Sequence, residues 1–461
     1  MTSNTTTAPR PLTTVTAPGA PAVSASAAVR TSAPTRRTFL AGASAVSAVS
    51  AVSVGSLLSG SFTPAAAAGL PMVTPVWSES IRRSFGVAVQ PQFIDSPYGD
   101  AAAWPKYVSQ MGATWIRGKY NISPNLRASN DTIIKQCRML GLKWVMTVIP
   151  EDWSMSIPQL KAVLADIRGR AADVCIAIEG MNEPNHNKDG SPLRRDWAAA
   201  TVAYQKVIWD FVHATPSMSH VSVLSPSLQM GGKTPLTDFN ALTAAGIKGK
   251  MDYAGMHSYP AGLKPDNQID TRLGYVRSAW GAVPTWVSET GYNNAMAAPM
   301  AGPRPVPVDV AATYGPRSVL EYFSRGCKSA RYELLSEPDP KNADCESGYG
   351  LLNCPSNDPA TWTLKPEYNV MRKFLGGLKD TATSYKPTAV PLQVTAPSTV
   401  KWVLSAKSDG TTTLYAYLNV SIWDGVKRTY LKPAPVNVTV TDRAGARTIK
   451  VGAAITAITI R

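Results

Sequence analysis

A chain of 461 residues with 44 % hydrophobic side chains can bury the core of one large domain and a smaller one. Its formal charge of +15 comes from scattered lysines and arginines without a polybasic block, which argues against a nucleic-acid partner and leaves a solvated surface or an anionic glycan as its counterpart. Five cysteines without a CxxC pair, and four histidines far apart in sequence, argue against a structural zinc site, and no metal or cofactor is expected.

Residues 1–35 are mostly Thr, Ala, Pro, Ser and Val, with two arginines and no acid, a composition that cannot build a packed core. Pro34-Thr-Arg-Arg-Thr-Phe-Leu40 follows, then a weakly apolar Ala/Ser/Val run to about Phe62 and the stretch Ala65–Ala68. Paired arginines, a mild hydrophobic run and a small-residue end predict a twin-arginine export signal over 1–68 and a secreted mature protein starting near Gly69. A membrane span needs about 20 strongly apolar residues, and serines and glycines dilute this run. No cysteine follows closely enough to carry a lipid, so no stable membrane anchor is expected. Removing Arg10, Arg30, Arg36 and Arg37 with the signal still leaves a basic chain, expected to be monomeric.

From Ser84 on, short apolar runs alternate with longer stretches of helical period. The runs are SFGVAVQ, ATWIRG, LKWVMTVI, DVCIAIEG, HVSVLSP, MDYAGMHSY, PTWVSE and SARYELL. Near-continuous hydrophobicity suits parallel strands covered on both faces. Between them, Ile133, Ile134, Cys137 and Leu140 form one helical stripe, and Ile269, Leu273, Val276 and Trp280 another. The expected fold is α/β, a (β/α)8 TIM barrel over 69–380. An open doubly wound sheet is the competitor, disfavoured because no Gly-rich nucleotide loop follows the first strand. Beyond Gly377 the chain alternates apolar with polar residues and turns at Asp409-Gly410, which predicts a small antiparallel β-sandwich over 381–461.

In such a barrel the chemistry sits where strands end. The fourth run leads into Glu179-Gly-Met-Asn-Glu-Pro-Asn185 and the seventh ends in Ser288-Glu289-Thr-Gly291. Three βα units separate Glu183 from Glu289, so both would surface at one face. Glu179 shares the parity of Glu183 and would lie about 13 Å deeper in an extended strand. There it would be a structural ion-pair member.

Asn182-Glu183-Pro184 together with Ser288-Glu289 resembles the signature of the clan A glycoside hydrolases, the cellulase, xylosidase and iduronidase-like superfamily, from about Ser84 to Asn353. The resemblance implies a retaining hydrolase of a polysaccharide or oligosaccharide, with Glu183 as acid/base and Glu289 as nucleophile. It further implies that Asn182 holds a sugar hydroxyl and that Arg117 steadies Glu289. His257 and Tyr259, separated by one serine in MHSY, point the same way in an extended chain, which places Tyr259 to donate to Glu289. Arg117 could instead simply pair with Glu179. Glu333 resembles a position near the sugar subsites. Trp153, Tyr292 and Trp362 are candidate stacking surfaces for sugar rings, whereas alternation from Glu289 turns Trp286 outward toward helices. The loop after the third run, IPEDW, departs from the histidine-bearing loop common in that superfamily. A barrel kept only as a non-catalytic carbohydrate-binding or cell-wall scaffold is the alternative. Cys345 and Cys354 flank a Gly-rich loop and are expected to pair in an exported protein, while Cys137, Cys175 and Cys327 read as buried hydrophobes.

Overall fold

A computed structural model describes residues 69–149, 153–186, 194–230, 235–299, 303–339 and 341–461; the expected export signal lies outside them. All eight apolar runs contain strands: β1 (Phe85–Ala88), β2 (Trp115–Lys119), β3 (Lys143–Thr147), β4 (Cys175–Glu179), β5 (Ser222–Leu224), β7 (Ala254–His257), β8 (Thr285–Thr290) and β9 (Lys328–Tyr332). A short strand that the pattern did not announce, β6 (Leu228–Gln229), completes a nine-stranded parallel sheet in the order β5-β4-β3-β2-β1-β9-β8-β7-β6. The sheet is curled. Its two end members, β5 and β6, are consecutive in the chain, and a parallel bridge between Leu224 and Tyr253 ties β5 to the segment entering β7.

Helices cover the outer face. The two foreseen stripes lie on α3 (Pro124–Leu140) and α7 (Ile269–Trp280), and Ile133, Ile134, Cys137, Ile269, Leu273, Val276 and Trp280 are buried. Each such large aliphatic side chain contributes roughly 1.5–3 kcal/mol on burial. Local signals agree with packing: α3 ends at Gly141 in the left-handed conformation, and α4 (Ile157–Arg170) starts with a reciprocal Ser156–Gln159 capping box.

Inside the curl, Ala88, Trp115, Val145, Ala177, Leu224, Trp286 and Ala330 form a plug. Trp115 and Trp286 meet edge to face at 5.0 Å, and Trp115 lies so close over Gly86 that a Cβ there would stand 2.2 Å from the indole. Trp286 therefore faces inward, against the alternation argument. A register irregularity between Val287 and Glu289 adds a residue and resets the parity, so Trp286 and Glu289 both point into the curl.

The C-terminal segment forms antiparallel ladders, Val400–Ala406 with Thr412–Leu418 and Thr456–Ile460, and Gln393–Thr395 with Val436–Asp442 and Gly445–Val451. Residues of both sheets share one buried cluster that includes Leu404, Leu414, Val438, Val440 and Ile458. The start of the described chain joins them, Met72–Val73 pairing with Val390–Pro391 and Val76–Trp77 running parallel to Ser405–Ala406. A boundary at 69 had given these residues to the barrel. The contact with α8 (Val308–Phe323) is polar and buried: Tyr417 Oη donates to Glu321 at 2.6 Å and Arg317 donates to Asn419 Oδ1 at 3.0 Å. Among the described residues no helix is long and apolar enough to cross a membrane.

Candidate active site

Strand ends bring Arg117, Glu179, Asn182, Glu183, His257, Tyr259 and Glu289 together above the plug. Arg117 is the hub. Its Nε donates to Glu179 Oε2 at 2.7 Å, one terminal nitrogen donates to Glu289 Oε1, and the other donates to Asn182 Oδ1 at 2.7 Å. It thus makes both contacts that the sequence had offered as alternatives. Burial pulls its pKa down, but Glu179 and Glu289 outweigh that and raise it, so it stays charged.

Glu179 is fully buried, yet its carboxyl lies below the usual range. Burial alone would raise it; the charge and hydrogen bonds of Arg117, with His257 and Ser227, reverse the sign. Ser288 Oγ donates to Glu179 Oε1 at 2.6 Å and Ser227 Oγ donates to the same oxygen. The depth inferred for Glu179 assumed a strand running through to Glu183. Strand β4 stops at Glu179 and the chain turns, so one guanidinium reaches both Glu179 and Asn182. A Cβ at Gly180 would lie 2.2 Å from Gln205 Oε1, which is why that turn starts on a glycine.

Glu183 sits at φ +42°, a left-handed conformation that costs a non-glycine residue on the order of 1 kcal/mol or more. Neighbours hold it there. Its N–H donates to Ser227 O at 2.8 Å and its carbonyl accepts from His186 N at 3.0 Å. Asn185 clamps the turn to β6, accepting from Gln229 N at 3.0 Å and donating to Gln229 O at 3.1 Å and to Asp238 Oδ2 at 2.8 Å. Asn185, Ser227 and Ser288 were not singled out from sequence. Asn185 and Ser288 stand within the quoted motifs without a role of their own there, and Ser227 gave no signal beyond its polarity.

His257 Nδ1 lies 2.7 Å from Glu183 Oε1 and 3.3 Å from Glu289 Oε2. Its Nε2 is 3.5 Å from Arg117, which can only donate, so Nδ1 carries a hydrogen in the neutral as well as the charged ring. Burial lowers the imidazole pKa, but Glu289 and Glu183 outweigh it and leave it above the ordinary histidine value. Tyr259 Oη donates to Glu289 Oε2 at 2.7 Å. Carboxylate and imidazole atoms of Glu183, His257 and Glu289 all lie within 4.8 Å of one another, close enough to hold a cation in principle. Both Glu289 oxygens and His257 Nδ1 are, however, already committed to hydrogen bonds with Arg117, Tyr259 and Glu183.

A second wall flanks Glu289. The rings of Tyr259, Tyr332 and Tyr349 pack edge to face at 5.3–6.0 Å. Glu333, next to Tyr332 in the chain, is buried, with Tyr98 hydrogen-bonded to it and Glu346, Glu337 and Glu289 nearby; burial first, and these acids after it, push its carboxyl well above the usual range.

The aromatic candidates divide. Trp153 is half-buried, at φ +54°, with the Arg194 guanidinium 5.9 Å over its ring. Tyr292 is no platform: it turns into the cluster of Val306, Val310 and Tyr314, and its hydroxyl donates to Leu263 O at 2.9 Å. Trp362 is likewise packed, against Tyr107, with Nε1 donating to Ser356 O at 3.0 Å. They lie on two different loops, each packed back against buried side chains. The expected disulfide is also corrected. Cys345 and Cys354 are free thiols, because Cys345 begins the short surface helix α9 (Cys345–Gly348) while Cys354 is buried beside Ser336 and Glu333. Cys137, Cys175 and Cys327 are free and buried.

No protein-family profile and no curated protein sequence matches the chain. Solved structures do resemble it in backbone. A beta-glucosidase from Exiguobacterium marinum has 12 % identity and a TM-score of 0.46, covering 65 % of this chain and 98 % of its own. An endo-laminarinase from Formosa has 17 % identity and a TM-score of 0.44, covering 60 % and 86 %. A GH128 subgroup I endo-beta-1,3-glucanase from Amycolatopsis mediterranei, in complex with laminaritriose, has 16 % identity and a TM-score of 0.39, covering 63 % and 99 %.

Proposed function

We propose that the protein is an exported, retaining glycoside hydrolase acting on a polysaccharide or oligosaccharide, built as a (β/α)8 barrel with a C-terminal β-sandwich. The observation that carries this reading is the pair Glu183 and Glu289, whose nearest side-chain oxygens approach within 4.8 Å. Double displacement at a sugar needs two carboxyl groups about 5–5.5 Å apart, whereas inversion leaves about 6.5–9.5 Å for a water between them.

Arg117 donates to one oxygen of Glu289 and Tyr259 to the other, which aims the carboxylate. Glu289 attacks the anomeric carbon as the bond to the leaving oxygen breaks, and Glu183 delivers its proton to that oxygen. Ester formation removes the negative charge of Glu289 and with it the repulsion on Glu183. Glu183 then takes a proton from water, the water oxygen bonds to the anomeric carbon, and the ester breaks to restore Glu289. Through Nδ1–H, His257 fixes Glu183 Oε1. Asn182, held by its carbonyl on Arg117, presents its amide NH2 to a sugar hydroxyl.

Glu289→Gln and Glu183→Gln should each lower turnover on the cleaved glycan by about 100-fold or more with unfolding midpoints near the parent's. Product anomers followed by NMR should show retention. Full activity in either variant removes the assignment and leaves the barrel as a carbohydrate-binding scaffold.

A further inference from the structure

We propose that Arg428, on a hairpin of the C-terminal segment, is a positioning residue for the nucleophile: it braces Asn293–Ala298, which backs the tyrosine wall beside Glu289. This goes beyond the glycosidase reading and rests on it for its effect on turnover. The hairpin pairs Trp423–Asp424 with Thr429–Tyr430. Asp424 Oδ1 shapes its tip, accepting from Val426 N and Lys427 N, both at 3.0 Å. Arg428 follows the tip at φ +52°. Glycine takes that left-handed conformation without strain, so a long side chain is kept here at a cost. It reaches across to the barrel: one terminal nitrogen donates to Met296 O at 2.6 Å and the other to Ala298 O at 2.9 Å. The hairpin has a separate anchor in Trp423, buried with Val306, Val310 and Tyr314, whose Nε1 donates to Pro305 O at 3.2 Å.

The braced segment begins shortly after Glu289 in the chain, and Val306 N closes its base by donating to Asn293 O at 3.0 Å. It rests on Gly348. Asn294 N donates to Gly348 O at 3.0 Å, and Lys365 Nζ ties the two together, donating to Gly348 O at 3.0 Å and to Asn294 Oδ1 at 3.4 Å. A Cβ on Gly348 would stand 2.7 Å from Ala295 N, and Ala297 N donates to Asn342 O at 2.9 Å. Tyr349 comes next, its ring 5.4 Å from that of Tyr259, whose hydroxyl donates to Glu289 Oε2 at 2.7 Å. Ala295, Ala298 and Tyr349 are all buried, and a close-packed interior passes a displacement on rather than absorbing it. Loosening the segment therefore loosens Tyr259, and a nucleophile held less firmly loses rate steeply.

The test measures kcat/KM of the full chain on the cleaved glycan, well below the unfolding midpoint. Arg428→Gly removes both contacts and relieves the backbone strain, so its unfolding midpoint should stay near the parent's. Its kcat/KM should nevertheless fall about tenfold. Arg428→Lys keeps the charge without the two-pronged fork and should lie between. In a Tyr259→Phe background the fall should shrink to under twofold, because both changes act on one contact. A kcat/KM of Arg428→Gly within twofold of the parent's, or an undiminished fall in the Tyr259→Phe background, overturns the proposal and leaves the glycosidase reading intact. If the parent cleaves nothing in a panel of neutral and charged oligosaccharides, that reading fails instead, and the brace is judged by amide hydrogen exchange. Faster exchange in Arg428→Gly at Asn294, Ala297 and Gly348–Tyr349, with the midpoint unchanged, supports it; parental exchange rates there overturn it.

Discussion

Glu179 and Glu333 are both buried glutamates within reach of Glu289, yet their carboxyls are displaced in opposite directions, Glu179 below and Glu333 above the ordinary range. Burial acts alike on both. What differs is the company: Arg117 and two serine hydroxyls on Glu179, a tyrosine and further acids on Glu333. One side of the site is a neutralised ionic floor that fixes geometry. The other surrounds a buried carboxyl with a tyrosine hydroxyl and further acids, with no guanidinium bonded to it among the described residues.

Breaking the floor should have the largest effect. Arg117→Met strips the guanidinium from Glu179, Glu289 and Asn182 at once, leaving buried carboxylates without their partner. Losing one member of a buried pair costs roughly 3–5 kcal/mol, so denaturant unfolding should show a loss of that order. Turnover should fall about 100-fold or more, because the nucleophile loses a fixed donor. A variant that keeps parental activity would show that Glu289 is held by Tyr259 alone. Smaller is the effect of Asn185→Ala, which opens the clamp on Gln229 and Asp238 and lets the left-handed Glu183 turn relax. Stability should drop by about 1–2 kcal/mol and kcat about tenfold with KM little changed. Lost stability with unchanged kcat would reduce Asn185 to a brace.

This contrast also marks what was legible in the chain. Apolar runs and helical stripes announced the eight main strands and the outer helices because burial on both faces writes itself as continuous hydrophobicity. Glu183 and Glu289 were legible because strand ends deliver side chains to one face. Trp286 was misplaced because a local register shift leaves no trace in alternation. Glu179 was placed too deep because nothing in the letters says where β4 stops and the turn begins. Tyr292 and Trp362 were offered as platforms on residue type alone, and loop folding buried them. Gln90 follows β1 and Glu346 lies in the short helix Cys345–Gly348, far apart in sequence yet meeting at Tyr332.

The last and smallest effect separates the two glutamates by the sign of their pH dependence. Glu179, with its carboxyl lowered, contributes stability that is present above the ordinary carboxylate range and is lost as pH falls through its folded value. Glu333 behaves in reverse: the native protein retains a proton that the unfolded chain releases, so its contribution is present below the ordinary range and is lost as pH rises through the raised folded value. Glu333→Gln mimics the protonated group at every pH. Its unfolding free energy should match the parent's below about pH 4, near the carboxylate reference value, and exceed it at neutral pH, measured by urea titration at several pH values. Parallel curves across that range would mean that Glu333 is ionised like an ordinary carboxylate and that neither its burial nor the neighbouring acids hold its proton.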